Sequence, residues 1–501
     1  MVCGVLLSFA LPSTNLWPLA GSLTVVFYLV ATSRSVRGAF GYGALTALGC
    51  FAPLLLWLPT SFTDLFGPVS WLIYPPILAV LALFWGIVTG LARHFGGRGV
   101  RTLWLLPALW VLMEWARAQG PFAFTWGTLG YIWVDTPPAQ LADLAGVYGL
   151  SLWTATVAAL LAAPFVTTAE TWRARVLPVV GALALSAGAW AYGAYRLAAP
   201  PATATDRALL VQGATDPLGR AQGTAEGEVA RYQRLTTQAL RRAEARPQLV
   251  IWPEGATLEL TYLQGDEQQR AWRAIQQTAP RATFIVGGAA VERGRAYNSA
   301  FSLSGGRVRG RYDKVYLVPY GESVPFSDAL APLYATVYRW FGFEDFMGRS
   351  PGRQLVPLPT PLGAVATYMC YESIFPQVAR TMVARGAGVL VNISNDAWFG
   401  RGDGARQHFE MGRLRAIETR RYLLRVGNDG ITALIDPSGQ VVAELPRGGQ
   451  RTLMAAFAPR RGLTPYVRFG DALVVILTLY AVLISVSSGT LSRGRRVNHP
   501  N

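Results

Sequence analysis

Lysine is almost missing from this chain. Of its 45 basic side chains only one is a lysine, Lys314, in the string Arg311-Tyr-Asp-Lys-Val-Tyr-Leu-Val-Pro-Tyr-Gly-Glu322. Arginine keeps its proton at any useful pH and is excluded from proton-transfer work, whereas a buried ammonium can shift its pKa and take part in catalysis. An arginine-favouring genome would also leave a stray lysine by chance, so a functional and an accidental reading stand side by side. Histidine is scarce too. His94 lies in a basic loop, His499 in the tail and His408 on an apparent helix, where it reads as a structural hydrogen-bonding residue. None suits a cysteine–histidine pair. Three cysteines, Cys3, Cys50 and Cys370, are too few and too scattered for a disulfide framework. Cys3 and Cys50 fall in apolar runs and read as small core hydrophobes. No cluster of Cys, His, Asp and Glu has metal-ligand spacing, so neither a metal nor another cofactor is expected.

Charge as a whole is sparse, at 15% of residues, where a soluble protein has about a quarter. The net charge of +16 is carried by dispersed arginines without a nucleic-acid-binding motif. Anionic lipid headgroups are the better partner, and no nucleic acid is expected.

What is abundant is long uncharged sequence. An apolar stretch of about 20 residues crosses a bilayer as a helix. Candidates run over Leu16–Thr32, Gly38–Leu58, Trp71–Leu91, Leu103–Trp115, Val147–Val166, Val176–Tyr195 and Asp471–Ser487, with Val2–Leu11 as a shortened first helix, eight in all. A cleavable signal peptide is the rival for the first, but it lacks a charged leading region. The expected organisation is an integral membrane helical bundle over 1–197, a water-soluble domain over 198–470 starting with the linker Ala198–Thr205, a last span over 471–488 and a basic tail over 489–501. Basic residues choose the sidedness. Arg34, Arg37, Arg93, Arg98, Arg101, Arg173, Arg175, Arg493, Arg495 and Arg496 follow alternate spans, while loops 60–70 and 118–146 are poor in them. Both termini are therefore expected in the cytoplasm and the large domain outside. The outer loop Gln119–Ala145 carries Phe122, Phe124, Trp126, Tyr131 and Trp133, which either anchor helices at the headgroup level or line a lipid entrance.

The soluble domain alternates strand-like runs (Ala208–Gln212, Leu249–Trp252, Thr283–Val286, Ala300–Leu303, Ala364–Met369, Val389–Ile393) with helical stretches (Glu226–Ala245, Asp266–Thr278, Phe375–Ala384, His408–Arg421). Gly305-Gly306 and Asp436-Pro-Ser-Gly439 mark hairpin turns. An α/β layered sandwich with a mixed sheet follows. Three strand ends carry candidate chemistry. Glu254 ends Ile251-Trp-Pro-Glu254, Lys314 follows the Gly305-Gly306 hairpin, and Tyr368-Met-Cys-Tyr-Glu372 exposes Cys370 at the end of an apolar strand. A thiolate nucleophile needs a base and a nearby cation. Glu254 suits the first role and Lys314 the second.

This Glu…Lys…Cys order resembles the nitrilase (carbon–nitrogen hydrolase) superfamily. The fuller set is similar to one membrane branch of it, the bacterial apolipoprotein N-acyltransferases. It comprises Trp252-Pro-Glu254, Leu317-Val-Pro-Tyr-Gly-Glu322, Met369-Cys-Tyr-Glu372, Asn392-Ile-Ser-Asn-Asp-Ala-Trp-Phe-Gly400, Gly430-Ile-Thr-Ala-Leu434 and Gly462-Leu-Thr-Pro-Tyr466. Seven helices before and one after an outer domain match that layout as well, so the resemblance spans essentially the whole chain. It implies an α-β-β-α sandwich with Glu254 as base, Lys314 as oxyanion partner and Cys370 as nucleophile. Glu322 would be a second acid holding the lysine, Tyr371 and Glu372 supports of the nucleophile, and Asn395, Trp398 and Phe399 substrate contacts. A structural ion pair with an arginine is the other reading of Glu372. The implied reaction moves an acyl chain from a membrane phospholipid through a Cys370 thioester to the α-amino group of an S-diacylglyceryl-cysteine on an apolipoprotein. The implied setting is a monomer in the bacterial inner membrane. Two departures stand out. The segment Ala214–Gly223 lacks the tryptophan often found there, and Gly255-Ala-Thr-Leu258 replaces the usual Ser/Thr-Ala-x-Pro. A membrane-tethered amidase would use the same three residues with water as acceptor. A transporter would need charges within its spans, which hold little beyond Glu114 and Arg117 at one outer end.

Overall fold

The computed structural model describes residues 1–199, 203–214, 227–340, 348–400 and 402–494. The segment Ala214–Gly223 beyond its first residue, part of the linker 198–205 and the tail beyond 494 lie outside the described residues.

The apolar N-terminal part folds as helices α1 (Val2–Ala10), α2 (Ser22–Thr32), α3 (Val36–Leu54), α4 (Trp57–Phe66), α5 (Tyr74–Gly96), α6 (Val100–Arg117), α7 (Ala142–Val166) and α8 (Trp172–Leu197). Helices stand at every place the hydropathy marks, but not all are long. Gly67–Gly96, Pro137–Val166 and Trp172–Leu197 are long and apolar enough to cross a membrane, and the pair Val36–Leu54 and Trp57–Thr63, bent by 45°, adds a fourth if counted as one span. The nine residues of α1 rise only about 14 Å, half the thickness of a bilayer core. Helix α7 is broken at Ala145 and Gly146, where the glycine takes φ +66°. A Cβ there would fall within 3 Å of the Tyr466 ring, so only glycine permits both the turn and the close approach.

The remaining chain carries β1 (Asp206–Gln212), α9 (Glu228–Arg242), β2 (Leu249–Ile251), α10 (Gly265–Thr278), β3 (Thr283–Glu292), β4 (Arg295–Ser304), β5 (Arg307–Asp313), α11 (Ser327–Trp340), β6 (Leu358–Thr360) and β7 (Gly363–Met369). There follow α12 (Pro376–Ala384), β8 (Val389–Ser394), α13 (Gly404–Thr419), β9 (Leu423–Gly427), β10 (Thr432–Ile435), β11 (Val441–Leu445), β12 (Arg451–Phe457), α14 (Pro465–Phe469) and the final helix α15 (Ala472–Gly494). The strands form two mixed six-stranded sheets, ordered β12-β1-β2-β3-β4-β5 and β11-β10-β9-β8-β7-β6. Strands β1-β2-β3 and β7-β8-β9 run parallel, and the hairpins at Gly305-Gly306 and Asp436–Gly439 join antiparallel neighbours.

Period-two alternation builds the layers. In β1, Ala208 and Leu210 join the core shared with the second sheet, while Leu209 and Val211 pack under α9 and α10 with Tyr232, Leu235 and Ile275. Helices α12 and α13 cover the far face of the second sheet, giving α-β-β-α layering. Helix α13 then meets α7, and one continuous apolar core runs from the second sheet into the bundle. Fifteen of the sixteen residues of α13 are buried, charged ones included, and only Arg406 is exposed. Arg415 pairs with Glu418 at 2.8 Å, and Glu418 Oε1 accepts the Val147 N–H at 2.9 Å, just where α7 restarts after its break. A carboxylate is favourable at such a helix N-terminus.

Candidate active site

The ends of parallel strands β2 and β7 and of the antiparallel edge strand β5 bring the three predicted groups together; strand ends are where open sheets keep their sites. After β2, Pro253 cannot continue the ladder because it has no N–H, and Glu254 follows. A Cβ on Gly287 would lie 2.5–2.6 Å from the Pro253 and Glu254 backbone, so the Glu254 segment lies directly against β3. Lys314 follows β5, anchored by its N–H to Asn298 O at 2.9 Å and its carbonyl to the Gly352 N–H at 2.8 Å. Cys370 follows β7 with φ +45° and opens a tight 3-10 turn, Cys370–Ile374. A left-handed non-glycine residue costs about 1–3 kcal/mol and persists only where its surroundings dictate it.

The side chains converge. Lys314 is 1% exposed, with Nζ 3.3 Å from Glu254 Oε1 and 2.8 Å from Glu322 Oε2. Asn298 Nδ2 donates to Glu254 Oε1 at 2.7 Å and to Glu322 Oε1 at 2.8 Å, locking the two acids on one lysine. Glu254 Oε2 accepts the Asn395 N–H at 3.1 Å, and Glu322 Oε2 that of Val318 at 2.9 Å. Burial opposes the charge on Lys314, but Glu254 and Glu322 more than offset it and hold its pKa well above the usual lysine value. Cys370 is only 7% exposed, so the strand end encloses the thiol rather than exposing it. Burial, reinforced by the Glu254 carboxylate and opposed by Lys314, pushes that thiol up to about 12.

The supporting residues resolve in detail. Glu372 is fully buried and acts as a staple. Its Oε1 accepts from the Tyr312 hydroxyl at 2.6 Å and the Val315 and Tyr316 N–H groups at 2.8 and 3.2 Å, and its Oε2 accepts from the Met369 N–H at 2.8 Å. Its described partners are thus a phenol and backbone amides, not an arginine. Burial pushes its carboxyl up. Tyr371 donates to Ala123 O of the outer loop at 2.6 Å and stacks on Trp126. Asn395 touches Glu254 through its backbone, Trp398 is 48% exposed, and Phe399 is buried in edge contact with Trp57. Trp126, Tyr131 and Trp133 are buried against the sandwich and the bundle, so they form no lipid-facing belt; only Phe122 of the loop's predicted aromatics is exposed, at 52%. Pattern reading missed Asn298 and Tyr312, which nothing in the motifs marks. It also left Asp396 unassigned, although that residue sits inside the Asn392–Gly400 string. His408 is a buried hydrogen-bonding residue, as expected, bound at both ring nitrogens.

Comparison with known proteins places this geometry. The carbon–nitrogen hydrolase family model matches residues 208–465, so the class is a carbon–nitrogen hydrolase domain carried on an apolar helical bundle. The N-terminal domain model of apolipoprotein N-acyltransferases matches residues 3–160. An apolipoprotein N-acyltransferase of Geobacter metallireducens is 35% identical over 94% of this chain and 91% of its own length. One of Azotobacter vinelandii is 33% identical over 96% and 94%. The chain belongs to the apolipoprotein N-acyltransferase family. Among solved structures, a carbon–nitrogen hydrolase of Helicobacter pylori is 17% identical across 50% of this chain and 88% of its own, with a TM-score of 0.38.

Proposed function

We infer that the chain is an acyltransferase that moves an acyl group from a membrane phospholipid to the α-amino group of a diacylglyceryl-cysteine at an apolipoprotein N-terminus. The observation that carries the mechanism is the enclosed cluster in which Lys314 joins Glu254 and Glu322 beside a buried Cys370. With its pKa near 12 the resting nucleophile is a thiol, so deprotonation accompanies attack. Glu254 takes the proton as Sγ bonds to the ester carbonyl carbon. Two of the three Lys314 N–H donors engage Glu254 and Glu322, and the third suits the developing oxyanion. Collapse breaks the C–O bond, and the proton leaves with the lysophospholipid. In the second half the amine nitrogen attacks the thioester, Glu254 takes its proton, the C–S bond breaks and the thiol is restored. Burial of Cys370, beside a Tyr371 bonded to Ala123, shields the waiting thioester from water. Glu322 fixes the lysine, Tyr371 and Glu372 fix the nucleophile turn, and Asn395, Trp398 and Phe399 border the acyl donor. All these residues come from one chain, so a monomer suffices, and no cofactor takes part.

The same reading sets the chain in the bacterial inner membrane with eight spans, both termini cytoplasmic and residues 198–470 outside. The apolar outer faces of α8 and α15 support the membrane setting, with Leu177, Val180, Leu183, Ile476, Leu479 and Leu483 exposed, since such apolar surface suits lipid; the alternation of arginine-rich loops supports the sidedness. Mass spectrometry of the purified protein after incubation with phospholipid alone tests the chemistry. An acyl adduct on Cys370 that a diacylglyceryl peptide discharges as an amide is expected. Rapid release of free fatty acid, with no amide, would make the chain a hydrolase.

A further inference from the structure

The reading of Cys370 as nucleophile leaves open what keeps this residue in its left-handed conformation, and the inference here rests on that reading. The peptide carbonyl of Cys370 meets a buried polar chain. His408 Nε2 lies 2.9 Å from Cys370 O and 2.8 Å from Ser373 Oγ. A carbonyl oxygen only accepts, so Nε2 carries the hydrogen. The other ring nitrogen, Nδ1, sits 3.1 Å from both Arg425 Nη2 and Asp396 Oδ1, and Arg425 Nη2 also donates to Asp396 Oδ2 at 2.7 Å. The imidazole packs against Trp126 and Phe399, which also touch each other, and is fully buried. Burial and the Arg425 guanidinium together hold it below the ordinary histidine range. Asp396 neighbours Asn395, whose N–H holds Glu254, so one loop orders both the base and the histidine.

We propose that His408 is a positioning residue for the nucleophile: its Nε2–H pins the Cys370 carbonyl, fixing the turn that aims Sγ at the side of Glu254 and Lys314. It is not an alternative base, because both ring nitrogens engage groups other than the thiol. Nor is it merely core filling, because it bonds the backbone carbonyl of the left-handed Cys370 itself.

Stereochemistry supplies the test. A glutamine can set its amide nitrogen where Nε2 stands, an asparagine only where Nδ1 stands, and methionine has the shape of glutamine without a donor. His408→Gln, His408→Asn and His408→Met should be compared in full-length protein in phospholipid nanodiscs, reading thioester formation in a single turnover beside thermal stability. His408→Met and His408→Asn should slow thioester formation at least tenfold with little change in the phospholipid concentration at half-saturation, and His408→Gln should recover most of the rate. If the Asn variant does not fold, the Gln and Met pair decides alone. Equal rates for Gln and Met, whether near wild type or equally reduced, would overturn the proposal. Cys370→Ala separates the two readings: acyl transfer surviving in that variant would sink the nucleophile itself, whereas its loss beside indifferent His408 variants sinks only the role of His408.

Discussion

Replacing Lys314 by arginine keeps the charge and changes only its shape, which makes it the sharpest trial of the site. The ammonium is 1% exposed and sits within 2.8–3.3 Å of two carboxylates. A guanidinium is broader and planar and spreads its donors over a fork. It can satisfy Glu254 and Glu322 bidentately, but only by filling the space in which the oxyanion forms. Losing one preorganised donor costs about 10²–10³ in rate, or roughly 3–4 kcal/mol. Enlarging a packed site costs a further ~1–3 kcal/mol of stability, so Lys314→Arg should fold and insert with a modestly lowered melting temperature. Its acyl transfer should fall at least about a hundredfold. The pH dependence sharpens this. Glu254 and Glu322 raise the Lys314 pKa above its unfolded value of about 10.4. The pairing is therefore complete below that pH and is lost only as pH climbs through the still higher folded value. From pH 6 to 9 the ratio of wild-type to variant rate should stay flat. Release of lysophospholipid in a single turnover, on purified protein with matched expression, reads it directly. Near-wild-type turnover would return Lys314 to an accident of codon usage and refute the catalytic assignment.

The remaining expectations follow from the same contacts. Because the thiol is held near 12, iodoacetamide labelling of Cys370 without lipid should rise about tenfold per pH unit from 7 to 9; a plateau in that range would mean that Lys314 outweighs burial. Asn298→Leu removes two hydrogen bonds to charged acids, each worth about 1.5–3 kcal/mol, and should cut acyl transfer at least tenfold while the protein still inserts. Cys370→Ala should abolish the thioester on mass spectrometry, whereas Cys3→Ala and Cys50→Ala should leave turnover nearly unchanged; inactivity of either would move the nucleophile. Cysteine-accessibility labelling in intact cells should find residues 198–470 outside, and labelling only after permeabilisation would reverse the topology.

How much of this was legible in the sequence depended on what each pattern assumes. Glu254, Lys314 and Cys370 stood out because each follows a run with strand character, and the fold brings the three together. Asn298 could not, since it sits within β4 as one more polar residue in an alternating strand, and only folding brings it between two acids. The enclosure of Cys370 was equally hidden. An apolar strand predicts where its last residue emerges, not that the next residue, Tyr371, is held by a loop of the distant bundle. The deepest gap is α13. Its sequence, with Arg413, Arg415 and Glu418, has the composition of a solvent-facing helix, and polar residues around a helix ordinarily mean water. Here the layer beyond it is not water but α7, so the charges are forced to find partners within the protein. Glu418 caps the restart of a bundle helix, Arg415 reaches Tyr131 of the outer loop at 3.3 Å, and His408 reaches the nucleophile. The residues that read as solvated are therefore those that join the helical bundle to the turn that carries Cys370. Removing one member of such a buried pair leaves a charge without compensation, which ties the shape of the active site to the bundle that carries it.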